Sequence, residues 1–509
     1  MKLKNIFNRM VIVGLLIVLQ LGILITVIWK LSTYFMYFYG ISLLLSALVL
    51  LHLISKPGNS SYKIAWAIPI LLFPVFGGFL YILLGNTKTN KKLTRGLNEI
   101  NNRTIQFLKQ DPKIIEDIQG EDKSIANQMK YIKDFSLFPV YKNTTSEYLS
   151  PGENFYTRLI EELEKAKHFI FLEYFIISEG VMWDGILEIL EKKVKQGVDV
   201  RLIYDDIGCL KTLPYKYNER IEKMGIKCMV FNKLAPVVSL IMNNRDHRKI
   251  TVIDGHTGFM GGVNLADEYI NKYERFGYWK DAAIMLKGEA VWNLTVMFLQ
   301  MWEFHHGIKE DYTLFKPYMY HPEPFESDGY VQPYGDSPLD NETVGENVYL
   351  NILHKAKEYV YISTPYLIVD NEMMVALELA AKSGIDVRII TPHIPDKWYV
   401  HTLTRAYYLP LIEAGVKIYE YKPGFIHAKT YVCDDEIGVV GSINMDYRSL
   451  YLHFECAALL YKSKTIAQIK EDYIKTLDEC ICITEEDCIH ISWGKRLLRT
   501  ILRLFAPLM

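Results

Sequence analysis

The chain has no Gly-x-x-x-x-Gly-Lys-Ser/Thr loop, and so lacks the backbone cradle of a nucleotide-driven P-loop enzyme. Its seven cysteines, at 209, 228, 433, 456, 480, 482 and 488, are odd in number and irregular in spacing. That excludes a disulfide framework and points to free thiols in a reducing compartment. Cys480, Cys482, Cys488 and His490 match no closed four-ligand zinc pattern, and no metal is expected. There is no excess charge either: 57 basic against 59 acidic residues give a net −2, which argues against wholesale nucleic-acid binding. What the chain does have is length and apolar content. With 509 residues and 50% hydrophobic side chains, it can build two or three domains with full cores.

The apolar residues concentrate at the start. Val11–Trp29, Tyr34–Ile54 and Ile64–Gly85 are runs without a charged side chain. Each is long enough to cross a ~30 Å hydrocarbon core at ~1.5 Å per residue. Residues 1–86 are therefore expected to form a transmembrane anchor of two or three helices, with no signal-peptide cleavage after the first run. Pro69, Pro74 and the Gly77-Gly78 pair predict that the third run kinks or re-enters. Lys2, Lys4, Arg9, Lys56 and Lys63 fall on one side of three spans, and Lys30, Lys88, Lys91, Lys92 and Arg95 on the other. Five against five gives no orientation by the positive-inside rule.

Residues 87–135 read as a polar, basic linker, either simply solvated or drawn to anionic headgroups by Lys88, Lys91, Lys92, Arg95 and Arg103. Beyond it the pattern alternates between helix and strand. "FYTRLIEELEKAKHFIFLEYFII" and "WDGILEILEKKVKQGVDVRLIYDD" each run from an amphipathic helix into an apolar strand. After residue 345, "ENVYLNILHKAKEYVYISTPYLI" and "MMVALELAAKSGIDVRIITP" repeat that grammar. The fold class is α/β: two pseudo-repeated halves, 136–335 and 336–490, followed by a basic amphipathic segment, 491–509. The first half carries an insertion with an apolar stretch, 234–243, that could cover a core or an acyl chain.

The chemistry sits in a duplicated motif. "HRKITVID" places His247 and Lys249 two apart, as "HAKTYVCD" places His427 and Lys429, so strand periodicity predicts that each pair shares a face. Asp254 and Asp434 complete the His-x-Lys-x-x-x-x-Asp sets. Their odd offset turns them away, toward the strand end and its turn. Gly261-Gly262-x-Asn264 and Gly441-Ser442-x-Asn444 follow at equal distances. One such motif is weak; two with identical downstream spacing are strong. Paired His-Lys-Asn sets suit a phosphodiester, with Lys249, Lys429, Asn264, Asn444, Ser442 and Gly262 positioned to bind its oxygens. One histidine would attack phosphorus while the other protonates the leaving alcohol, and no metal or nucleotide cofactor is required. Asp281 and Glu455, in apolar strand-like runs after each motif, are candidates to orient the histidines.

The doubled His-x-Lys-x-x-x-x-Asp with Gly-x-x-Asn resembles the phospholipase D superfamily. "GGVNLADEY", "GSINMDYRSLYLHFE", "GFIHAKTYV" and the apolar N-terminus resemble, within it, the bacterial cardiolipin synthase family. That resemblance implies a multi-pass bacterial membrane enzyme that takes phosphatidylglycerol and other membrane lipids rather than nucleic acid. It implies transfer between two phosphatidylglycerols, with glycerol released, through a phosphatidyl-histidine. It also implies His247 as nucleophile, His427 as acid and base, and orienting roles for Asp281 and Glu455. A phospholipase D releasing headgroups to water, or a transferase with a phosphatidylethanolamine donor, is the alternative. Two departures stand out: a third apolar run, and Lys280 where the family has arginine before the acid.

Overall fold

The computed structural model describes residues 35–56, 58–74, 76–84, 91–233, 244–340 and 342–508, with a few isolated positions between 18 and 26. Its contacts divide the chain into one unit of Met1–Lys91, Lys233–Asn243 and Leu504–Met509, and another of Lys92–Asn232 and Asn244–Arg503.

In the first unit the second apolar run forms a helix, Phe35–Ser55. Its segment Met36–Ser55, with mean hydropathy 2.1, is the one helix among the described residues long and apolar enough to cross a membrane. The third run does not cross as one helix. It folds as Ser60–Leu72 and Gly77–Leu84, and the second piece, at about 12 Å, is too short to span. The expected punctuation explains the break: Pro74 has no N–H to continue the ladder, and a Cβ on Gly77 would lie 2.2 Å from the Pro69 carbonyl. Ser46 of the long helix donates to the Pro74 carbonyl, and Val49, Leu53, Trp66, Ile70 and Tyr81 form the small core. The first apolar run and the insertion 234–243 lie outside the described residues, apart from those isolated positions.

In the second unit the four helix-to-strand units read from the sequence are present. Helices Gly152–Lys165 and Val181–Lys195 precede β2 (Phe169–Tyr174) and β3 (Asp199–Asp205), with β1 (Thr144–Leu149) before them and β4 (Lys227–Phe231) after. After β5 (Arg245–Asp246) come β6 (Lys249–Ile253), β7 (Thr257–Gly261), β8 (Tyr278–Lys280) and β9 (Ala283–Gly288). The first sheet runs β1-β9-β7-β6-β2-β3-β4, with β2, β3 and β4 parallel.

The second half repeats it with β10 (Tyr330–Asp336), β11 (Tyr359–Ser363), β12 (Leu367–Ile368), β13 (Asp386–Pro392) and β14 (Lys417–Tyr421). There follow β15 (Gly424–Ile426), β16 (Thr430–Cys433), β17 (Ile437–Gly441), β18 (Met445–Asp446), β19 (His453–Tyr461) and β20 (Cys480–Ile483). Its sheet order, β10-β19-β17-β16-β11-β13-β14-β20, matches the first strand for strand apart from the added edge β20. Gly197 and Gly384, at φ 88° and 95°, end matching helices in the left-handed region that glycine enters without strain.

β10 pairs with β19 of the second half. The polar, helix-permissive stretch after the anchor forms helices from Lys91: Lys91–Thr104, Pro112–Glu121 and Lys123–Ser136. Arg103 pairs with Glu303 and Gln332 donates to the Met129 carbonyl, which ties these helices to the α/β body.

Candidate active site

Each histidine lies where its strand breaks. His247 and Arg248 separate β5 from β6, and His427, Ala428 and Lys429 separate β15 from β16. The sequence reading assumed an unbroken strand; the break has a purpose. It lets the first member of each pair leave its own sheet and join the other half. β5 runs parallel to β19 and β15 parallel to β8. The His247 N–H donates to the Phe454 carbonyl at 2.9 Å, and the His427 N–H to the Lys280 carbonyl at 2.7 Å.

The orienting acids therefore cross over. His247 Nδ1 lies 2.9 and 3.0 Å from the two oxygens of Glu455, and His427 Nδ1 lies 2.6 Å from Asp281 Oδ2. Each histidine is held by the carboxylate of the opposite half. An ionised carboxylate can only accept, so Nδ1 carries the hydrogen and Nε2 keeps its lone pair. Glu455 also accepts from the hydroxyls of Ser442 and Ser449. Asp281 accepts from the Ala282 N–H at 2.8 Å, and Trp279 Nε1 stands 3.5 Å from it.

All of these groups are buried, and burial sets their protonation. It drives His247 down to about 3, against the pull of Glu455 and with help from Lys249. It drives His427 to about 4, with Lys429 adding to the shift and Asp281 opposing it. Lys249 falls to about 8 and Lys429 to about 7 for the same reason, offset by the carboxylates. Burial works against charge on Glu455, but the His247 ring and its hydrogen bond hold the carboxyl well below the usual range. The resting site has two neutral imidazoles and a carboxylate; the Lys249 ammonium donates to the His247 carbonyl, and Lys429, only partly protonated at neutral pH, stands 2.8 Å from His427 Nδ1. His247, His453 and Glu455 bring ligand-type atoms within 4.8 Å of one another. We assign no metal to them, because a dication would meet the positive charge of Lys249.

Several expected site residues are engaged elsewhere. Asp254 accepts from the backbone N–H groups of Lys167, His168 and Phe169, each at 2.8 Å. Asp434 accepts from Lys357, Glu358 and Tyr359 in the same way. Both aspartates thus fasten the start of the neighbouring strand, β2 or β11, which runs antiparallel to their own, and their carboxylates are spent on the scaffold. Ser442 is committed to Glu455, so its hydroxyl is not a phosphate ligand. Gly262, its counterpart, makes room: a Cβ there would stand 2.2 Å from Asp281 Oδ1. The Asn264 amide accepts from the Ile176 N–H and donates to the Tyr269 hydroxyl, which leaves it one hydrogen for a ligand. Asn444 Oδ1 has no protein partner. Lys280 pairs with Asp472 at 2.8 Å and reaches His427 only through its carbonyl.

The sequence reading missed Ser449, His453, and the rings of Trp279, Tyr269 and Phe425, which lie 5.2, 5.6 and 5.8 Å from His427. The repeated aromatic-x-acid spacing at 279–281 and 453–455 was the available signal.

A family model described as "Cardiolipin synthase, PLD-like domain" matches residues 159–302 and 349–477, and "Phospholipase_D-nuclease N-terminal" matches 44–86. A cardiolipin synthase of Geobacillus sp. is 34% identical over 92% of this chain and 94% of its own length. The chain belongs to the cardiolipin synthase family. An uncharacterized protein of Streptococcus mutans is 45% identical over 90% of this chain and 99% of its own. The crystal structure of a phosphatidylserine synthase from Haemophilus influenzae shares the fold, with TM-score 0.55 and 15% identity over 75% of this chain and 98% of that one. Membership of the cardiolipin synthase family makes the chain a phosphatidyltransferase built on a two-half PLD-like fold.

Proposed function

We propose that the chain transfers a phosphatidyl group from one phosphatidylglycerol to a hydroxyl of another, forming cardiolipin and releasing glycerol. The observation that carries this reading is the reciprocal pairing of each histidine with the other half's carboxylate, with Lys249 and Lys429 alongside. His247, neutral and oriented by Glu455, attacks phosphorus through Nε2. The bond from phosphorus to the glycerol oxygen breaks, and His427 supplies the proton that the alcohol needs. His427 rests neutral in the empty site. An anionic phosphodiester bound between the two rings favours its protonated form. The lysines stabilise the charge on the non-bridging oxygens, aided by the remaining hydrogen of Asn264. In the second half-reaction His427 takes the proton from the incoming lipid hydroxyl, that oxygen attacks phosphorus, and the P–N bond breaks.

One phosphodiester replaces another, so no nucleotide drives the reaction. The Met36–Ser55 helix places the enzyme at its substrate. Trp493, Leu497 and Ile501 lie four residues apart along the helix Trp493–Phe505 and are exposed, with Lys495 and Arg496 between them. This is a fit for an anionic bilayer surface.

The test uses purified enzyme in mixed micelles of phosphatidylglycerol with a chelator, read by mass spectrometry. Cardiolipin and glycerol in equal amounts support the reading. Phosphatidic acid with glycerol makes the chain a hydrolase. Cardiolipin that appears only when phosphatidylethanolamine is added, with ethanolamine released, identifies a different donor.

A further inference from the structure

The two carboxylates are preceded by different rings at the same position. Trp279-Lys280-Asp281 runs off the end of β8 and His453-Phe454-Glu455 opens β19, each strand paired in parallel with the one that leads to the histidine its acid holds. In one half the ring is an indole, which cannot change its charge. In the other it is an imidazole. The His453 ring is 5.5 Å from that of His247, and its Nδ1 is 3.8 Å from Glu455 Oε1, beyond hydrogen-bond range. Its side chain is only 10% exposed, yet neither ring nitrogen has a hydrogen-bond partner.

The groups around His453 come from three elements. Glu455 is on its own strand; His247 stands between β5 and β6, with the Lys249 ammonium on its carbonyl. Asp446, half-buried and capping Ser449, bears on it electrostatically from β18. Glu455 already accepts from His247, Ser442 and Ser449, and a carboxylate has about four acceptor positions, so one remains.

We propose that His453 is a positioning residue that acts on His247 through Glu455 and slows the enzyme when it takes up a proton. This rests on the reading of His247 as nucleophile. Neutral, His453 leaves the carboxylate to His247. Protonated, it becomes a fourth donor to Glu455, draws the carboxylate from Nδ1 and adds a positive charge beside the ring that must attack. Both effects lower the basicity of His247, so turnover falls as pH falls. No such step is available in the other half, where Trp279 fills the position.

The test compares the wild type with His453→Gln and His453→Asn in phosphatidylglycerol micelles from pH 5 to 8, with chelator, following loss of donor lipid whatever the product. We expect both variants to keep kcat within about threefold at pH 8, with KM unchanged, and their acid limb to move down by about half a pH unit or more. An acid limb superimposable on the wild type overturns the proposal. So does a uniform loss of kcat at every pH in a variant that unfolds at the wild-type temperature, because His453 would then act directly. His247→Ala serves as the control. If it retains turnover, the nucleophile assignment fails; if it is inactive and the limb does not move, only the role of His453 fails.

Discussion

The two half-sites perform matching tasks on different foundations. "RDHRK" precedes β6, and "FIHAK" precedes β16. In the first half, buried ions support the histidine. Arg245 binds Asp205 at 2.7 Å, and Arg248 binds Asp246 and Glu173. In the second half the same positions are Phe425, Ile426 and Ala428, and Tyr269, Trp279 and Phe425 surround the ring. What both halves share is the exchange of strands and the reciprocal carboxylate. The duplication has preserved the place of two imidazoles and let the means of holding them diverge. That difference separates the tasks as well: three rings surround His427, whereas His247 shares its carboxylate with two hydroxyls and has the rings of Phe175 and His453 beside it, at 4.9 and 5.5 Å.

The strongest test breaks the two roles apart. His247→Ala and His427→Ala should each lower turnover by about a thousandfold or more. A donor whose leaving group is nitrophenol needs little acid help. On that lipid His427→Ala should recover about a hundredfold or more of its loss, and His247→Ala should recover none. Equal recovery in both would erase the distinction between nucleophile and acid. One step smaller, Glu455→Gln and Asp281→Asn should each cost about 10- to 100-fold. Only Asp281→Asn should be relieved by the good leaving group, because Asp281 serves the acid.

The foundations can be compared by stability. Arg248→Met leaves Glu173 and Asp246 buried without their cation, at a cost of roughly 3–5 kcal/mol. Phe425→Ala opens a cavity at a cost of about 3–5 kcal/mol. The pH dependence tells them apart. In the wild type burial already raises the Glu173 carboxyl, while Arg248 holds Asp246 down against burial; in Arg248→Met the folded-state pKa of Asp246 also lies above the unfolded value. Their neutral forms therefore fit the fold at low pH, and stability drains away as pH rises through the folded pKa. Its deficit in thermal unfolding against the wild type should shrink from pH 8 to pH 5, and that of Phe425→Ala should stay level.

Much of this was legible in the sequence, and the limits are physical. The repeat, its helix-to-strand units and the paired motifs follow from periodicity and spacing. The turned-away aspartates follow from an odd offset. The exchange of acids does not. Glu455 follows His427 along the chain and Asp281 follows His247, so a one-dimensional reading joins each acid to its neighbour. Only the parallel pairing of β5 with β19 and β8 with β15 reverses that. Ser442 looked like a phosphate ligand because a hydroxyl beside glycine often is one, and nothing local reveals that Glu455 claims it. Ser449 is brought to the same carboxylate by the short helix Tyr447–Tyr451, whose turn is set by the Asp446 cap. The third apolar run had the composition of a span, but its prolines and close-packed Gly77 divide it.

The smallest expected effect is the most discriminating between the halves. Ser442 and Gly262 are equivalent in sequence and opposite in use: one adds a donor to its carboxylate, and the other leaves space for one. Ser442→Gly removes the hydroxyl bond to Glu455 and the acceptor of the Cys456 N–H, while Ser449 and His247 still hold Glu455. The rate should fall by about threefold to tenfold, the lower end of what a hydrogen bond to a charged group contributes. Gly262→Ser places a Cβ against Asp281, whose oxygen has nowhere to retreat while it bonds His427 and the Ala282 N–H. Its loss should therefore approach that of Asp281→Asn, and the nitrophenol donor should relieve it in the same way. If the two exchanges instead cost the same and neither responds to the leaving group, the carboxylates are held alike. The difference between ionic and aromatic foundations would then stop short of the reacting atoms.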